Sequence, residues 1–105
     1  MEITPREVRR RLDEGEQVRL IDVREPHEYQ VARIEGAELI PMRNIPSALP
    51  SLDTGETPLI VYCHHGIRSL NVVSWLRQQG VENSLSMAGG IERWSLEVDP
   101  SVPRY

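Results

Sequence analysis

Lysine is absent from this chain of 105 residues; all 12 basic residues are arginine. That absence excludes a Schiff-base lysine, a pyridoxal-phosphate lysine and a phosphate loop of the GxxxxGK[ST] type. Cysteine is nearly absent too. The single copy, Cys63, cannot form an internal disulfide, and a C-x-x-C redox pair or a multi-cysteine zinc site goes with it. Long apolar runs are missing: the longest, Leu59-Ile60-Val61-Tyr62-Cys63, falls far short of the roughly 18 residues that read as a membrane span. The first residues, Met1 to Pro5, carry an early charge and no signal-peptide pattern, so a cytoplasmic location with no membrane partner is expected. A net charge of −4 argues against nucleic acid as a partner.

What is present suits one domain over residues 1–105: 39% hydrophobic and 27% charged residues are ordinary for a globular chain of this length. The charges are unevenly spread. From Thr57 to Val81 there is no Asp or Glu, while His64, His65, Arg68 and Arg77 fall inside that stretch with Cys63. Burial of a strand and a helix explains such a gap as readily as a site that excludes negative charge.

Local patterns alternate between the two kinds of element. Thr4-Pro5-Arg6-Glu7 reads as a capping box with Pro at the first helical position, predicting a helix from Pro5 to Glu14 with Gly15 as its stop. Arg9, Arg10 and Arg11 point in three directions from that helix and read as a solvated face. Val18–Val23 and Pro58–Tyr62 read as strands, and the continuous apolar run of the second implies burial on both sides, as in a parallel sheet. Between them the pattern predicts a short helix over Glu25–Val31, a short strand over Ala37–Ile40 and a proline-punctuated connection over Met42–Leu52. A helix over Ser69–Gln79, with Leu70, Val73 and Leu76 on one face, then a strand over Ser84–Met87 and a helix opened by Gly89-Gly90 and running through Trp94 to Leu96 complete the order. The tail, residues 98–105, carries two prolines and is expected to lie extended on the surface. The whole predicts a three-layer α/β domain, a mostly parallel central sheet with helices on both faces.

In such sheets ligands bind beyond the carboxyl ends of the strands, and Cys63 follows the most apolar strand directly. The loop Cys63-His64-His65-Gly66-Ile67-Arg68-Ser69 then enters the best-defined helix, so backbone N–H groups can converge on the sulfur. Bonds of this charge-assisted kind are worth roughly 1.5–3 kcal/mol each, enough in number to stabilise a sulfur nucleophile. Gly66 permits a loop conformation closed to other residues. Neighbouring histidines on so tight a loop are expected to diverge. A metal site from Cys63, His64, His65 and His27 is not expected, because adjacent ligands chelate poorly.

At this point the chain resembles the single-domain rhodaneses, the thiosulfate-type sulfurtransferase family, over nearly its whole length. Leu20–Tyr29 is similar to the family's first signature, Arg33–Ala37 stands where its G-H-I-x-G-A element belongs, and Cys63–Ser69 is similar to its active-site loop. Ala88–Trp94 resembles the downstream double-glycine element. Ala32 and Arg33 replace the usual Gly-His pair, a departure in local geometry. The resemblance implies that Cys63 takes a sulfane sulfur and holds it as a persulfide, with no cofactor and no metal. It implies that the amides from His64 to Ser69 (through Gly66, Ile67 and Arg68) cradle the sulfur and that the Arg68 side chain helps place a small anionic donor such as thiosulfate. The acceptor is then a thiol, cyanide or a protein. His64 and His65 line the mouth, and Asp22, Arg24 and Glu28 brace the surrounding loops through ion pairs or capping bonds.

Two other classes compete. Cysteine phosphatases and arsenate reductases share the Cys-loop-Arg design, but Cys63 to Arg68 is C-x4-R where phosphatases use C-x5-R, a ring too small for a tetrahedral phosphoryl group. A non-catalytic binding or regulatory module is the second; such modules typically lack the cysteine.

Overall fold

The computed structural model describes residues 1–53 and 55–105. Five strands form one all-parallel sheet in the order β1-β5-β4-β2-β3, where β1 is Glu2–Ile3, β2 Arg19–Asp22, β3 Glu38–Leu39, β4 Leu59–Tyr62 and β5 Ser84–Met87. The connecting helices are α1 (Pro5–Asp13), α2 (Pro26–Val31), α3 (Ile45–Leu52), α4 (Ile67–Gln78) and α5 (Gly90–Glu97), with a 3-10 turn at Met42–Asn44 before α3.

Because strand side chains alternate, β2 and β4 feed two cores. Leu20, Ile60 and Tyr62 pack with Val8 of α1 and with Ile91 and Trp94 of α5, while Ile21, Leu59 and Val61 pack with Ile45 and Leu52 of α3 and with Val72, Val73 and Leu76 of α4. All four residues of β4 are fully buried, which is what its continuous apolar run requires. At roughly 1.5–3 kcal/mol per buried aliphatic side chain, these two layers supply the main driving force for folding. Helices therefore cover both faces, and the α/β prediction holds. No helix among the described residues is long and apolar enough to cross a membrane.

Details differ from the sequence reading where local signals were weak. The edge strand β1 has no counterpart in the sequence pattern, because two residues carry no periodicity; it forms through Ser86 N–H to Met1 O (2.8 Å) and Ala88 N–H to Ile3 O (2.8 Å). Helix α4 begins at Ile67, two residues ahead of the expected Ser69, because Gly66 at φ +100° turns the chain and its carbonyl accepts from Leu70 N–H (3.1 Å). Its fully buried face is Ser69, Val72, Val73 and Leu76, with Leu70 half-buried. In α5, Leu96 is 60% exposed while Trp94 is buried. Thr4 caps α1 by accepting from Glu7 N–H (3.2 Å), whereas the Glu7 carboxylate bonds Arg10, and Arg9 lies over the Trp94 ring at 5.0 Å.

The tail is the largest correction. Residues 98–105 lie on the surface in part, with Pro103–Tyr105 exposed, but are not extended throughout: Val102 N–H closes a turn on Asp99 O (3.1 Å), the Val102 side chain is buried, and Ser95 Oγ bonds its carbonyl (2.6 Å). That turn carries Tyr105 back to the carboxyl end of the sheet, where its hydroxyl meets Arg24 and Glu28.

Candidate active site

The carboxyl ends of β2 and β4 lie side by side, with Asp22 opposite Tyr62 in register, so the residues after them share one rim. Cys63 leaves β4 there, 1% exposed. Its sulfur accepts from Gly66 N–H at 3.1 Å and from Ser69 N–H at 3.4 Å, and lies 3.5 Å from Ser69 Oγ. Ser69 Oγ is itself fixed at 2.8 Å from Ser86 Oγ on β5. Two amides of the loop thus converge on the sulfur, one from the turn and one from the first turn of α4, where the helix dipole adds to the field. Ile67, between them, is 74% exposed and points away.

What aims these amides is the opposite side of the loop. The carbonyls of Cys63 and His64 accept from Ile91 N–H (2.9 Å) and Glu92 N–H (3.1 Å) in the first turn of α5. With the carbonyls tied outward, the loop's N–H groups face inward. Gly90 makes this approach possible: a Cβ there would sit 2.4 Å from His64 O and 2.5 Å from Cys63 O, and its φ of +63° disfavours a side chain in any case. The double glycine that opens α5 thus permits close packing of the helix against the loop. Gly90→Ala is expected to cost about 3 kcal/mol or more, a left-handed penalty plus overpacking against backbone. Gly15→Ala, with φ +75° and nothing within 4 Å, should cost about 1–2 kcal/mol. Equal urea midpoints for the two variants would show that the α5 contact does not shape the loop.

The expected supporting residues form a connected polar network. Asp22 and Arg24, both fully buried, pair through Nε–Oδ1 (2.9 Å) and Nη2–Oδ2 (2.6 Å). Arg24 also donates to Ala32 O (2.6 Å) at the end of α2 and to the Tyr105 hydroxyl (2.8 Å). Glu28 Oε1 accepts from Glu25 N–H (3.0 Å), capping α2. Arg68 reaches Glu28 with both terminal nitrogens, at 2.8 and 3.0 Å, and the Tyr105 hydroxyl donates to Oε2 at 2.7 Å. The hydrogen bonds from Arg68 foremost, then those from Glu25 N–H and Tyr105, hold the Glu28 carboxyl well below the usual carboxylate range, so it is ionised at neutral pH. An acidic residue from α2 thus enters a loop whose own segment has none.

The histidines stack instead of diverging. The His64 ring lies between His65 (centroids 3.9 Å) and Tyr105 (3.9 Å, planes 9° apart). Burial, and secondarily His65, push the His64 imidazole below its ordinary value and keep it uncharged at neutral pH. Burial pushes the Tyr105 phenol up to about 12. His27 is exposed on α2, outside this group. Tyr105 is the functional-rim residue that sequence reasoning missed. Tyr105→Phe keeps the ring on His64 and removes the hydroxyl, and should lower stability by about 1 kcal/mol, since the residue is 41% exposed. Its urea unfolding midpoint checks this, and an unchanged midpoint would mean the tail is not anchored through that hydroxyl.

The sequence pattern of the rhodanese-like domain matches residues 4–97, and the chain belongs to that family. It is 34% identical to thiosulfate sulfurtransferase GlpE of Pseudoalteromonas translucida over 85% of this chain and 84% of that one. It is 37% identical to the probable adenylyltransferase/sulfurtransferase MoeZ of Mycobacterium tuberculosis over 98% of this chain, which spans 26% of that longer protein. The chain spans about a quarter to a third of the first curated relatives it matches, between 23% and 31% of their length. Among solved structures, a rhodanese-like domain protein from Staphylococcus aureus superposes with a TM-score of 0.84 at 31% identity, covering 100% of this chain and 99% of that one.

Proposed function

We propose that the protein is a sulfurtransferase that moves a sulfane sulfur from a small anionic donor, such as thiosulfate, to a thiophilic acceptor through a persulfide on Cys63. The observation that carries this reading is the pair of amides on the Cys63 sulfur, from Gly66 and Ser69, at the mouth of a parallel sheet. In the first step the Cys63 thiolate attacks the outer sulfur of thiosulfate; a new S–S bond forms, the old one breaks, and sulfite leaves with its electron pair. The negative charge then resides on the terminal persulfide sulfur. In the second step cyanide or a thiolate takes that sulfur, and the Cys63 thiolate is restored with no net change in charge. Neither step as written transfers a proton, since a thiolate attacks in the first and is restored in the second. The acceptor belongs to the same proposal: a thiol, cyanide or a protein.

A non-catalytic binding module draws on one observation, the 1% exposure of Cys63. Intact mass separates the two. After incubation with thiosulfate and removal of the donor, the protein should be heavier by one sulfur atom, and cyanide should remove it. Unchanged mass with thiosulfate and with an organic sulfane donor would support the binding module.

A further inference from the structure

The cation expected to hold an anionic donor is already engaged. Arg68 gives both terminal nitrogens to Glu28, a fork-to-fork pairing that matches guanidinium and carboxylate geometry and leaves little of its charge uncompensated. Glu28 in turn makes four hydrogen bonds, two from Arg68, one from Glu25 N–H and one from Tyr105, so the carboxylate is fixed from three directions. The neighbouring cation, Arg24, is spent on buried Asp22. In the polar network joined to the loop, then, two guanidinium groups and two carboxylates cancel, and His64 between its two stacked rings stays neutral. Arg68 directly precedes Ser69, whose N–H holds the Cys63 sulfur, so a change in the Arg68–Glu28 balance is made on the loop where the donor reacts.

We propose that Glu28 selects the sulfur donor by charge: by occupying Arg68 it leaves the incoming group to backbone amides, and the site therefore takes monoanionic sulfane donors, the organic persulfides and thiosulfonates, in preference to dianionic ones. This rests on the sulfurtransferase reading above and names the substrate class of that same site. The Gly66 and Ser69 amides already serve the Cys63 sulfur and, as partial charges, add no full positive charge for a second anion. A dianion brings a second charge that a paired Arg68 cannot match and that ionised Glu28 repels.

Two donors isolate the effect. Thiosulfate is a dianion; methanethiosulfonate has a methyl group in place of one anionic oxygen and presents the same terminal sulfur on a monoanion. In each case the Cys63 thiolate takes the terminal sulfur, and sulfite or methanesulfinate leaves with the bond pair. With cyanide as acceptor, the kcat/KM ratio of thiosulfate to methanethiosulfonate should rise roughly tenfold in Glu28→Gln, about 1.4 kcal/mol in the relative barrier. It should fall by a similar factor in Arg68→Gln and return to within about threefold of wild type in the double variant, whose local charge again balances. A purely structural role for the pair predicts equal losses with both donors and a ratio that stays put, and that result overturns the proposal. If Glu28→Gln does not fold, Arg68→Gln reads the same balance from the other side, and an unmoved ratio there is equally fatal. Intact mass keeps the two levels apart. Sulfur loading by both donors with a fixed ratio sinks the assignment to Glu28 alone, whereas no loading of wild type by either donor sinks the sulfurtransferase reading and this inference with it.

Discussion

Cys63→Ser should lose sulfur transfer by roughly a thousandfold or more and gain no mass from any sulfane donor, while its circular dichroism matches wild type; this is the outcome expected of removing the proposed nucleophile with its surroundings intact. The sulfur accepts from Gly66 N–H and Ser69 N–H, and a serine oxygen can accept from the same two groups, so the loop keeps its frame. Stability should therefore shift by about 1 kcal/mol or less. Oxygen, however, is neither ionised at neutral pH nor able to carry a sulfane sulfur. Because Cys63 is the single cysteine, sulfur it has taken has no second thiol to migrate to within the chain and stays until an acceptor arrives. The mass gain in wild type must then be one sulfur atom per chain, removable by cyanide. Wild-type rates in Cys63→Ser would refute the mechanism outright. An unfolded variant would assign the cysteine to the core with Val61, Val72 and Val73, among which it packs.

Much of this arrangement is legible in the sequence because its causes are local. The apolar run of β4, the turn at Gly66 and the helix behind it are set by neighbouring residues, and they place Cys63 where α/β sheets bind ligands. The double glycine at 89–90 signals a close approach, although which carbonyls it approaches depends on α5 meeting the loop across the sheet rim. Contacts between distant segments are a different matter. Arg68 and Glu28 lie 40 positions apart, and Tyr105 reaches Glu28 across 77. No periodicity or spacing encodes such pairings, so an acid-free segment could be read as electropositive when a carboxylate from α2 in fact neutralises its arginine. The tail failed for a related reason: two prolines describe its backbone, but the anchoring is done by Val102 in the core and by the Tyr105 hydroxyl at the rim. The histidine stack depends on that same ring, which holds His64 parallel to itself.

The second large effect belongs to the buried pair behind the site. Arg24→Met should destabilise the protein by about 3–5 kcal/mol, because it leaves the Asp22 carboxylate, fully buried, with its guanidinium partner gone. Asp22→Asn should cost a similar amount by stranding the Arg24 cation. For a domain of about 100 residues this corresponds to a fall in Tm of roughly 12 °C or more. The reason is geometric as much as electrostatic: Arg24 joins the end of β2 to Ala32 O at the end of α2 and to Tyr105 in the tail, so its loss releases three segments at once. Removing both charges removes the stranded ion, and Asp22→Asn combined with Arg24→Met should be more stable than the sum of the single costs by about 2 kcal/mol. Simple additivity, or single costs below about 1 kcal/mol, would mean that the pair is dispensable to the fold. In that event the reason for burying two charges behind the site would lie in their field, and the same variants would show a change in kcat/KM with the fold intact. The expected result is the converse: below their lowered melting temperatures both single variants still load sulfur onto Cys63, since neither Asp22 nor Arg24 touches it.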